Sequence, residues 1–258
     1  MSIYDAFIFF NELELLEIRL IELAPVVDYF VIVESAQTFA GFPKPLYFVD
    51  HRLRFSDFAN KIIHVVVDDF PPTTDPWVRE AHQRNAITRG IAKAVPDDLI
   101  MISDADEIPR REVVLQTAAL GEPTMLHQEL YYYWLNCRMR DQTCHLTRIV
   151  PAKMLAASNA QAIRHARYDR VVSDAGWHFS YLGGVERIRQ KVQSFSHQEY
   201  NSEAYLNDMR LNDAINNCVD LFGRNYSYEF VPIDSTFPHA VCTNPDRYKA
   251  LVHAQSAT

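Results

Sequence analysis

The sequence has few of the residues that mark redox centres, zinc modules and phosphate-binding loops. Its 258 residues include 7 glycines and 4 cysteines, and no two cysteines are spaced as C-x-x-C. The signatures G-x-G-x-x-G, G-x-x-x-x-G-K-[ST], G-x-S-x-G and H-E-x-x-H do not occur. These absences argue against a zinc ribbon, a thioredoxin-like protein, a dinucleotide-binding fold of the usual fingerprint, a P-loop protein, a serine hydrolase and a zincin.

Basic charge and long apolar runs are also scarce. There are 25 basic against 33 acidic residues, a net charge of −8, so we expect no general binding to nucleic acid. No stretch of about 18 uncharged apolar residues occurs, and the amino terminus has no basic region followed by an apolar run, so we expect neither a membrane span nor a signal peptide. We expect the cysteines to be reduced thiols, with a hairpin bridge between Cys137 and Cys144 as the alternative.

Apolar strands and amphipathic helices alternate through the first half. The predicted strands are Ala6–Phe10, Tyr29–Val33, Ile62–Val67 and Leu99–Ser103, and the predicted helices are Glu12–Leu23, with Asn11 and Glu14 as a capping box, and Trp77–Lys93. This order predicts an α/β fold with a mostly parallel sheet covered by helices. The second half is less regular; its predicted elements are strands at Thr124–Trp134, His145–Val150 and Gly176–Tyr181, helices near 185–196 and 203–219, and a loop with a short helix over Phe230–His253.

A cluster of three acids follows one predicted strand. The apolar run from Leu99 to Ile102 ends in Asp104, Asp106 and Glu107. Open α/β sheets bind ligands beyond the carboxyl ends of their strands, and an Asp-x-Asp pair can present oxygens to one hard divalent cation. Such pairs also occur by chance in surface turns. The preceding strand favours a metal site, because three neighbouring acids repel each other unless something neutralises them.

Other candidate residues each have two open interpretations. His178 in the aromatic strand is a metal ligand or a buried histidine satisfied by a carbonyl. Arg84 contacts a phosphate or forms a helix ion pair, and Glu34 with Ser35 lines a ligand crevice or caps a turn. Glu186, in a first helical turn, is a general base or a favourable charge for the helix dipole. The aromatic run Tyr131–Trp134 stacks on sugar or packs in the core, and core packing is favoured.

Five stretches together resemble glycosyltransferase family 17, from Tyr4 to about Tyr248. They are Tyr4–Glu12, Val31–Ser35, Lys44–Leu46, Asp104–Arg110 and Gly176–Ser180. The string Asp-Ala-Asp-Glu-Ile-Pro, in register with Gly-Trp-His, is the specific part of this resemblance. It implies a single GT-A-like domain over residues 1–258, with a nucleotide-sugar-binding half at 1–110 and an acceptor half at 111–258.

The resemblance also implies a reaction and a set of residues. The expected reaction is metal-dependent, inverting transfer of a sugar, GlcNAc from UDP-GlcNAc, to a glycan or lipid-linked saccharide. Mn²⁺ or Mg²⁺ would be held by Asp104, Asp106 and His178, with Asp106 the more direct ligand. The donor would also contact Asp104. Its nucleoside would contact Glu34 and Ser35, and its phosphates would contact Arg84. For the general base, Glu186 comes first, Glu107 second and Asp174 third.

Two other functions remain open from the sequence. One is a metal-dependent phosphoesterase that uses the same acids, and the other is a non-catalytic glycan-binding protein. The animal members of the family carry a membrane anchor, for which this sequence gives no signal. We therefore expect a bacterial-type enzyme of the cytoplasm, free or peripheral at the inner face of the membrane.

Overall fold

The computed structural model describes residues 1–254. In chain order its strands are β1 (Ile3–Phe9), β2 (Tyr29–Ser35), β3 (Ile62–Val67), β4 (Leu99–Asp104), β5 (Glu107–Pro109), β6 (Thr124–Leu126), β7 (Gln128–Tyr132), β8 (Cys137–Cys144), β9 (Arg148–Pro151), β10 (Val171–Val172), β11 (Gly176–Ser180) and β12 (Tyr228–Phe230). Its α-helices are α1 (Leu13–Leu23), α2 (Tyr47–His51), α3 (Pro76–Asn85), α4 (Ile87–Gly90), α5 (Arg111–Ala118), α6 (Lys153–Ala157), α7 (Ala160–His165), α8 (Gly184–Ser194), α9 (Glu203–Leu206), α10 (Asp208–Asn217), α11 (His239–Thr243) and α12 (Pro245–Tyr248). Short 3₁₀ helices lie at Arg52–Phe58, Gln198–Tyr200 and Lys249–Leu251.

The first sheet has the strand order β10-β6-β9-β4-β1-β2-β3. Strands β1, β2, β3 and β4 are parallel, whereas β9 runs antiparallel to both β4 and β6. The predicted α/β class is confirmed, and the sheet is parallel in its first half and mixed beyond β4. Because β6, β9 and β10 come from the second half of the chain, residue 110 does not separate two independent sheets.

Helices cover both faces of this sheet. Alternate residues of β2 enter two different hydrophobic clusters: Phe30 packs with residues of α1, and Val31 packs with residues of α4 and α7. This explains why the strand reads as a continuous apolar run. Gly90 at the end of α4 is required by the close approach, since a Cβ there would lie 2.2 Å from Cγ1 of Val31.

The second sheet has the order β12-β8-β7-β11-β5. The prediction of one strand over Thr124–Trp134 is wrong, because the strand is interrupted at His127 and its two parts, β6 and β7, belong to different sheets. Strand β8 was missed. The predicted helix over 203–219 is two helices, α9 and α10, which are separated at Asn207. The predicted capping box at Asn11 does not form, because the N-cap residue of α1 is Glu12 and its side chain makes no capping hydrogen bond.

The expectation of reduced thiols is also wrong for two cysteines. Cys137 of β8 and Cys218 after α10 form a disulfide, with Cα atoms 6.6 Å apart, while Cys144 and Cys242 are free. The spacing along the chain cannot reveal this pair, since 81 residues separate its members. In the described residues, no helix combines the length and the apolar character that crossing a bilayer demands.

Candidate functional site

The acid cluster lies where the order of the first sheet reverses. The chain lays β2 and β3 on one side of β1 and then returns to place β4 on the other side. Such a switch point opens a crevice at the carboxyl ends of the two adjacent strands. Strand β4 ends in this crevice at Asp104, and a two-residue turn leads into β5 at Glu107. We call residues 104–107 the acid turn.

Asp104 is held by two arginines from different helices. Its Oδ1 accepts a hydrogen bond of 2.6 Å from Arg84 of α3, and its Oδ2 accepts one of 2.6 Å from Arg164 of α7. Burial favours the neutral carboxyl, but Arg164 and Arg84 outweigh it and lower the pKa of Asp104. Both oxygens of Asp104 are therefore already engaged by cations of the protein.

Arg84, which donates to Asp104, is itself buried. Its side chain is 1% exposed, and it also donates to Gln161 at 2.7 Å and to Glu80 at 2.8 Å. The predicted phosphate contact would require Arg84 to exchange one of these partners, so its role in donor binding stays a prediction.

Asp106 faces a different pair of bases. Nζ of Lys191 on α8 donates to Oδ2 at 2.7 Å, and Nε2 of His178 on β11 lies 3.5 Å from Oδ1. Burial favours the neutral acid, yet Lys191 and His178 outweigh it and hold the pKa of Asp106 well below its usual range. Burial likewise opposes the imidazolium, and Asp106 outweighs it, raising the pKa of His178.

Glu107 is enclosed rather than open to a substrate. Its side chain has no exposed area, and Arg164 donates to both of its oxygens at 2.7 Å. Thr147 adds a hydrogen bond of 3.1 Å to Oε2. A carboxylate with these partners is suited to fixing the acid turn, and as a base it would need Arg164 to withdraw.

Arg19 of α1 supports the acid turn from behind. It is fully buried, pairs with buried Asp5, and donates to the carbonyls of Asp104 at 2.9 Å and Glu107 at 2.6 Å. The sequence analysis missed Arg19, Arg164 and Lys191. Only Arg19 carried a local signal, because it is a charged residue on the apolar face of an amphipathic helix.

The site can accept a divalent cation between two of the three predicted ligands. Two donor atoms 3.5 Å apart, as in Asp106 and His178, can both bond one ion at about 2.1 Å with an angle of roughly 110° at the metal. Nδ1 of His178 is buried and, within residues 1–254, has no hydrogen-bond partner. Asp104 is not part of this pair, since its two oxygens accept hydrogen bonds from Arg84 and Arg164, and its role as a metal ligand stays a prediction.

Glu34 and Ser35 end β2, one strand from the crevice, and both are buried. Glu34 accepts from the backbone N–H of Phe48 at 3.1 Å and lies 3.2 Å from His64, while Ser35 donates to a backbone carbonyl at 2.6 Å. Beyond the ends of β2 and β3 is a cavity of about 300 Å³, whose lining includes Gln37, Asp68, Phe70 and Arg79. The lining begins with Ala36 and Gln37, which follow Ser35 in the chain, and does not include Glu34 or Ser35, so their contact with a nucleoside stays a prediction.

The predicted bases Glu186 and Asp174 are both exposed. Glu186 is 85% exposed and pairs with Arg189 on the same helix, and Asp174 is 72% exposed and pairs with Arg110. Within residues 1–254, neither carboxylate forms a hydrogen bond or an ion pair with the acid turn, and their catalytic roles stay predictions. Glu12, after the end of β1, is half-buried, and its Oε1 lies 3.8 Å from the same Lys191 that binds Asp106.

The aromatic run is part of the core, as favoured. Tyr131, Tyr132 and Tyr133 are 3%, 8% and 2% exposed. The Tyr133 hydroxyl donates to the carbonyl of Val219, and Trp134 donates to the carbonyl of Ile215. These rings present no open face for stacking on a sugar.

Comparison with known proteins identifies the family of the chain. The model of glycosyltransferase family 17 matches residues 1–250. The chain belongs to glycosyltransferase family 17. The beta-1,4-mannosyl-glycoprotein 4-beta-N-acetylglucosaminyltransferases of Homo sapiens and Rattus norvegicus are each 39% identical to it over 113 residues, and that of Mus musculus is 38% identical.

These family-17 relatives are much longer than the region they share with this chain. The aligned stretch covers 41% of the chain and 21% of each relative. Among solved structures, S. aureus TarS 1–349 aligns with a TM-score of 0.40 at 11% identity, covering 74% of this chain and 63% of that one. A 4-diphosphocytidyl-2C-methyl-D-erythritol synthase aligns with a TM-score of 0.36 at 16% identity, covering 65% and 82%. Scores this low carry no argument about the site.

Proposed function

We propose that this family-17 chain is a metal-dependent, inverting glycosyltransferase with a GT-A-like fold. It transfers a sugar, GlcNAc from UDP-GlcNAc, to a glycan or lipid-linked saccharide. The observation that carries the proposal is the pair of Asp106 and His178 at the switch-point crevice, spaced to share one divalent cation. GlcNAc follows from the named activity of the relatives, and the nucleotide and the acceptor class are expectations carried over from the sequence analysis.

Different residues of the site would contact different parts of the donor. Mn²⁺ or Mg²⁺, held by Asp106 and His178, would supply Lewis-acid stabilisation of the departing diphosphate. Lys191 lies at the same carboxylate and adds a fixed positive charge to the crevice. Arg19 and Arg164 keep the acid turn rigid, so that Asp106 needs no reorganisation when the donor enters. The cavity beyond the ends of β2 and β3, next to Glu34 and Ser35 in the chain, is the proposed place of the nucleoside.

The acceptor hydroxyl must lose its proton to a carboxylate as it attacks. The family resemblance favours Glu186 and the geometry favours Glu12. Glu12 is linked to Asp106 through Lys191, and its Oε1 is 3.8 Å from that ammonium, beyond hydrogen-bond distance. We assign the base to Glu12 and keep Glu186 as the alternative. Glu12→Gln should abolish transfer while donor binding persists, whereas Glu186→Gln should turn over normally; the reverse result would assign the base to Glu186.

A panel of nucleotides tests the function as a whole. UDP with Mn²⁺ should raise the melting temperature, and neither UDP alone nor ADP with Mn²⁺ should do so to the same degree. Transfer is then read as release of UDP from UDP-GlcNAc in the presence of candidate saccharide acceptors. Equal stabilisation by all nucleotides, with or without Mn²⁺, would contradict a UDP-sugar site.

Two other functions predict different results. A metal-dependent phosphoesterase would release phosphate from simple esters and gain no protection from UDP. A glycan-binding protein would bind sugars with an affinity indifferent to EDTA, and its predicted aromatic platform is buried in this chain. The same panel and a phosphatase assay therefore separate the three.

A cytoplasmic location, free or at the inner face of the membrane, stays a prediction. The disulfide between Cys137 and Cys218 bears on it, because such bonds persist mainly in oxidising compartments. Fractionation of cells, with thiol counting on the protein from each fraction, tests the location directly.

A further inference from the structure

A second set of potential metal ligands begins at the last residue of the acid turn. Glu107, Cys144 and His178 each offer one ligand atom, and these three atoms all lie within 4.8 Å of one another. They come from three different strands, β5, β8 and β11. The cluster shares His178 with the proposed donor site but is otherwise distinct from it, and we call it the thiolate cluster.

The register of the second sheet explains why these residues meet. His178 is paired directly with Glu107 across β11 and β5, and with Leu130 across β11 and β7. Gln128, two residues before Leu130, is paired with Cys144. Directly opposed residues, and residues two apart on a strand, project from the same face of a sheet. The three ligands are therefore fixed by the backbone.

Two members of the thiolate cluster, Glu107 and Cys144, are buried, and the side chain of the third, His178, is 17% exposed. Cys144 is a free thiol, 8% exposed, with Sγ 3.8 Å from Oε1 of Glu107. Arg164 donates to both oxygens of Glu107. Oε1 keeps a second lone pair for a ligand, and an outer-shell partner of this kind orients a ligating carboxylate. Buried carboxylate, thiol and imidazole groups within one small volume have little reason to be grouped for packing alone.

The hydrogen bonding of His178 leaves one nitrogen to a ligand. Nε2 is turned towards Asp106, at 3.5 Å. Nδ1 is buried and, in the part of the chain described, lacks a hydrogen-bond partner. A histidine that binds metal through one nitrogen and donates its other N–H to a carboxylate is the usual arrangement at zinc sites. Here Asp106 would be that carboxylate.

We propose that Glu107, Cys144 and His178 form a binding site for Zn²⁺, and that zinc there inhibits the enzyme. Thiolate, imidazole and carboxylate together suit Zn²⁺ and not Mg²⁺ or Mn²⁺, which prefer oxygen ligands. Three protein ligands leave the fourth tetrahedral position to water. Binding forms one Zn–S, one Zn–N and one Zn–O bond. The proton of the Cys144 thiol and, from the imidazolium form of His178, the proton on Nδ1 pass to solvent.

The inhibitory part rests on the proposed function. With Zn²⁺ at Nδ1, His178 keeps a proton on Nε2 for Asp106, so this nitrogen cannot also bind the donor's cation. Zinc at the thiolate cluster and Mn²⁺ between Asp106 and His178 are therefore mutually exclusive. The two metals should compete, although they share a single residue.

Cobalt titration of the full chain tests the site without any measurement of activity. The EDTA-treated protein, titrated with Co²⁺, should develop the charge-transfer absorption of a Co²⁺–thiolate bond, which Zn²⁺ then removes. Cys144→Ser should eliminate this absorption and lower Zn²⁺ affinity at least tenfold. Cys242→Ser, which changes the other free cysteine, is the matched control and should leave both unchanged.

Cys144→Ala and His178→Ala control for misfolding of the serine variant. Each should lose the thiolate absorption while keeping the circular dichroism spectrum of the wild type. Absence of the thiolate absorption in the wild type, or its loss in Cys242→Ser instead, would overturn the site. If the absorption is present while UDP with Mn²⁺ fails to bind, the zinc site stands and the proposed function falls. If transfer is observed and Zn²⁺ binds without slowing it, the inhibitory role is overturned.

Discussion

Removal of Arg164 is the most direct perturbation of the acid turn. In Arg164→Met, Glu107 would remain fully buried after losing a partner that donates to both of its oxygens. Breaking a buried pair by deleting one member costs about 3–5 kcal/mol, because the other charge stays buried and unpaired. Thr147 retains one hydrogen bond to Glu107, and Arg84 retains Asp104, so we expect the lower part of this range.

A double-mutant cycle separates this charge effect from lost packing. Glu107→Gln neutralises the carboxylate at nearly constant volume, so the double variant Arg164→Met/Glu107→Gln should recover part of the stability lost in Arg164→Met. Urea unfolding of the four proteins gives the coupling energy, which we expect to exceed about 1.5 kcal/mol. Arg164→Met within about 0.5 kcal/mol of the wild type, or coupling near zero, would refute the view that Arg164 neutralises the acid turn.

Three further predictions concern other parts of the molecule. Ellman titration of the unfolded, unreduced protein should find two free thiols among the four cysteines, and four free thiols would contradict the disulfide. The disulfide joins residues 81 positions apart, which corresponds to about 4–5 kcal/mol of stability in the chain-entropy view. Gly176→Ala should lower the free energy of unfolding by about 2 kcal/mol or more, because Gly176 has φ +145° and a Cβ there would lie 2.2 Å from the carbonyl oxygen of Ile108. An unchanged melting temperature would contradict this. The pKa of Asp106 is lower in the folded protein than its unfolded value of about 3.9, so its ionisation stabilises the fold above that pH, and this stability is lost as the pH falls. Asp106→Asn should therefore flatten the curve of stability against pH below about pH 5. A curve parallel to that of the wild type would contradict this.

The part of the site that could be predicted is the part encoded locally. The run from Leu99 to Asp104 predicts its own strand and the position of the acids at its carboxyl end, because apolar pattern and turn residues act over a few positions. The alternation of the first four strands with helices likewise predicts the parallel half of the first sheet. His178 was found because a histidine within an aromatic strand next to glycine is conspicuous.

What neutralises the acids could not be predicted, because the partners are distant in the chain. Arg164 and Lys191 come from helices 60 and 85 residues beyond the acids they bind. The disulfide and strand β8 depend on sheet pairing of the second half, whose apolar pattern does not distinguish one long strand from β6 and β7. Glu186 lies, as predicted, in the first turn of a helix that follows a glycine pair. That helix turns its side chain to solvent, and its catalytic role stays a prediction.

Calorimetry of UDP binding tests the central claim, that Asp106 and His178 hold a divalent cation against a nucleoside diphosphate. The measurement is made on the wild type, Asp106→Asn and His178→Ala, each with Mn²⁺ and with EDTA, and with Glu186→Gln as the control outside the crevice. We predict that Mn²⁺ strengthens UDP binding at least tenfold in the wild type and in the control, and that neither site variant responds to it. Equal UDP affinity with Mn²⁺ and with EDTA in the wild type would contradict the account.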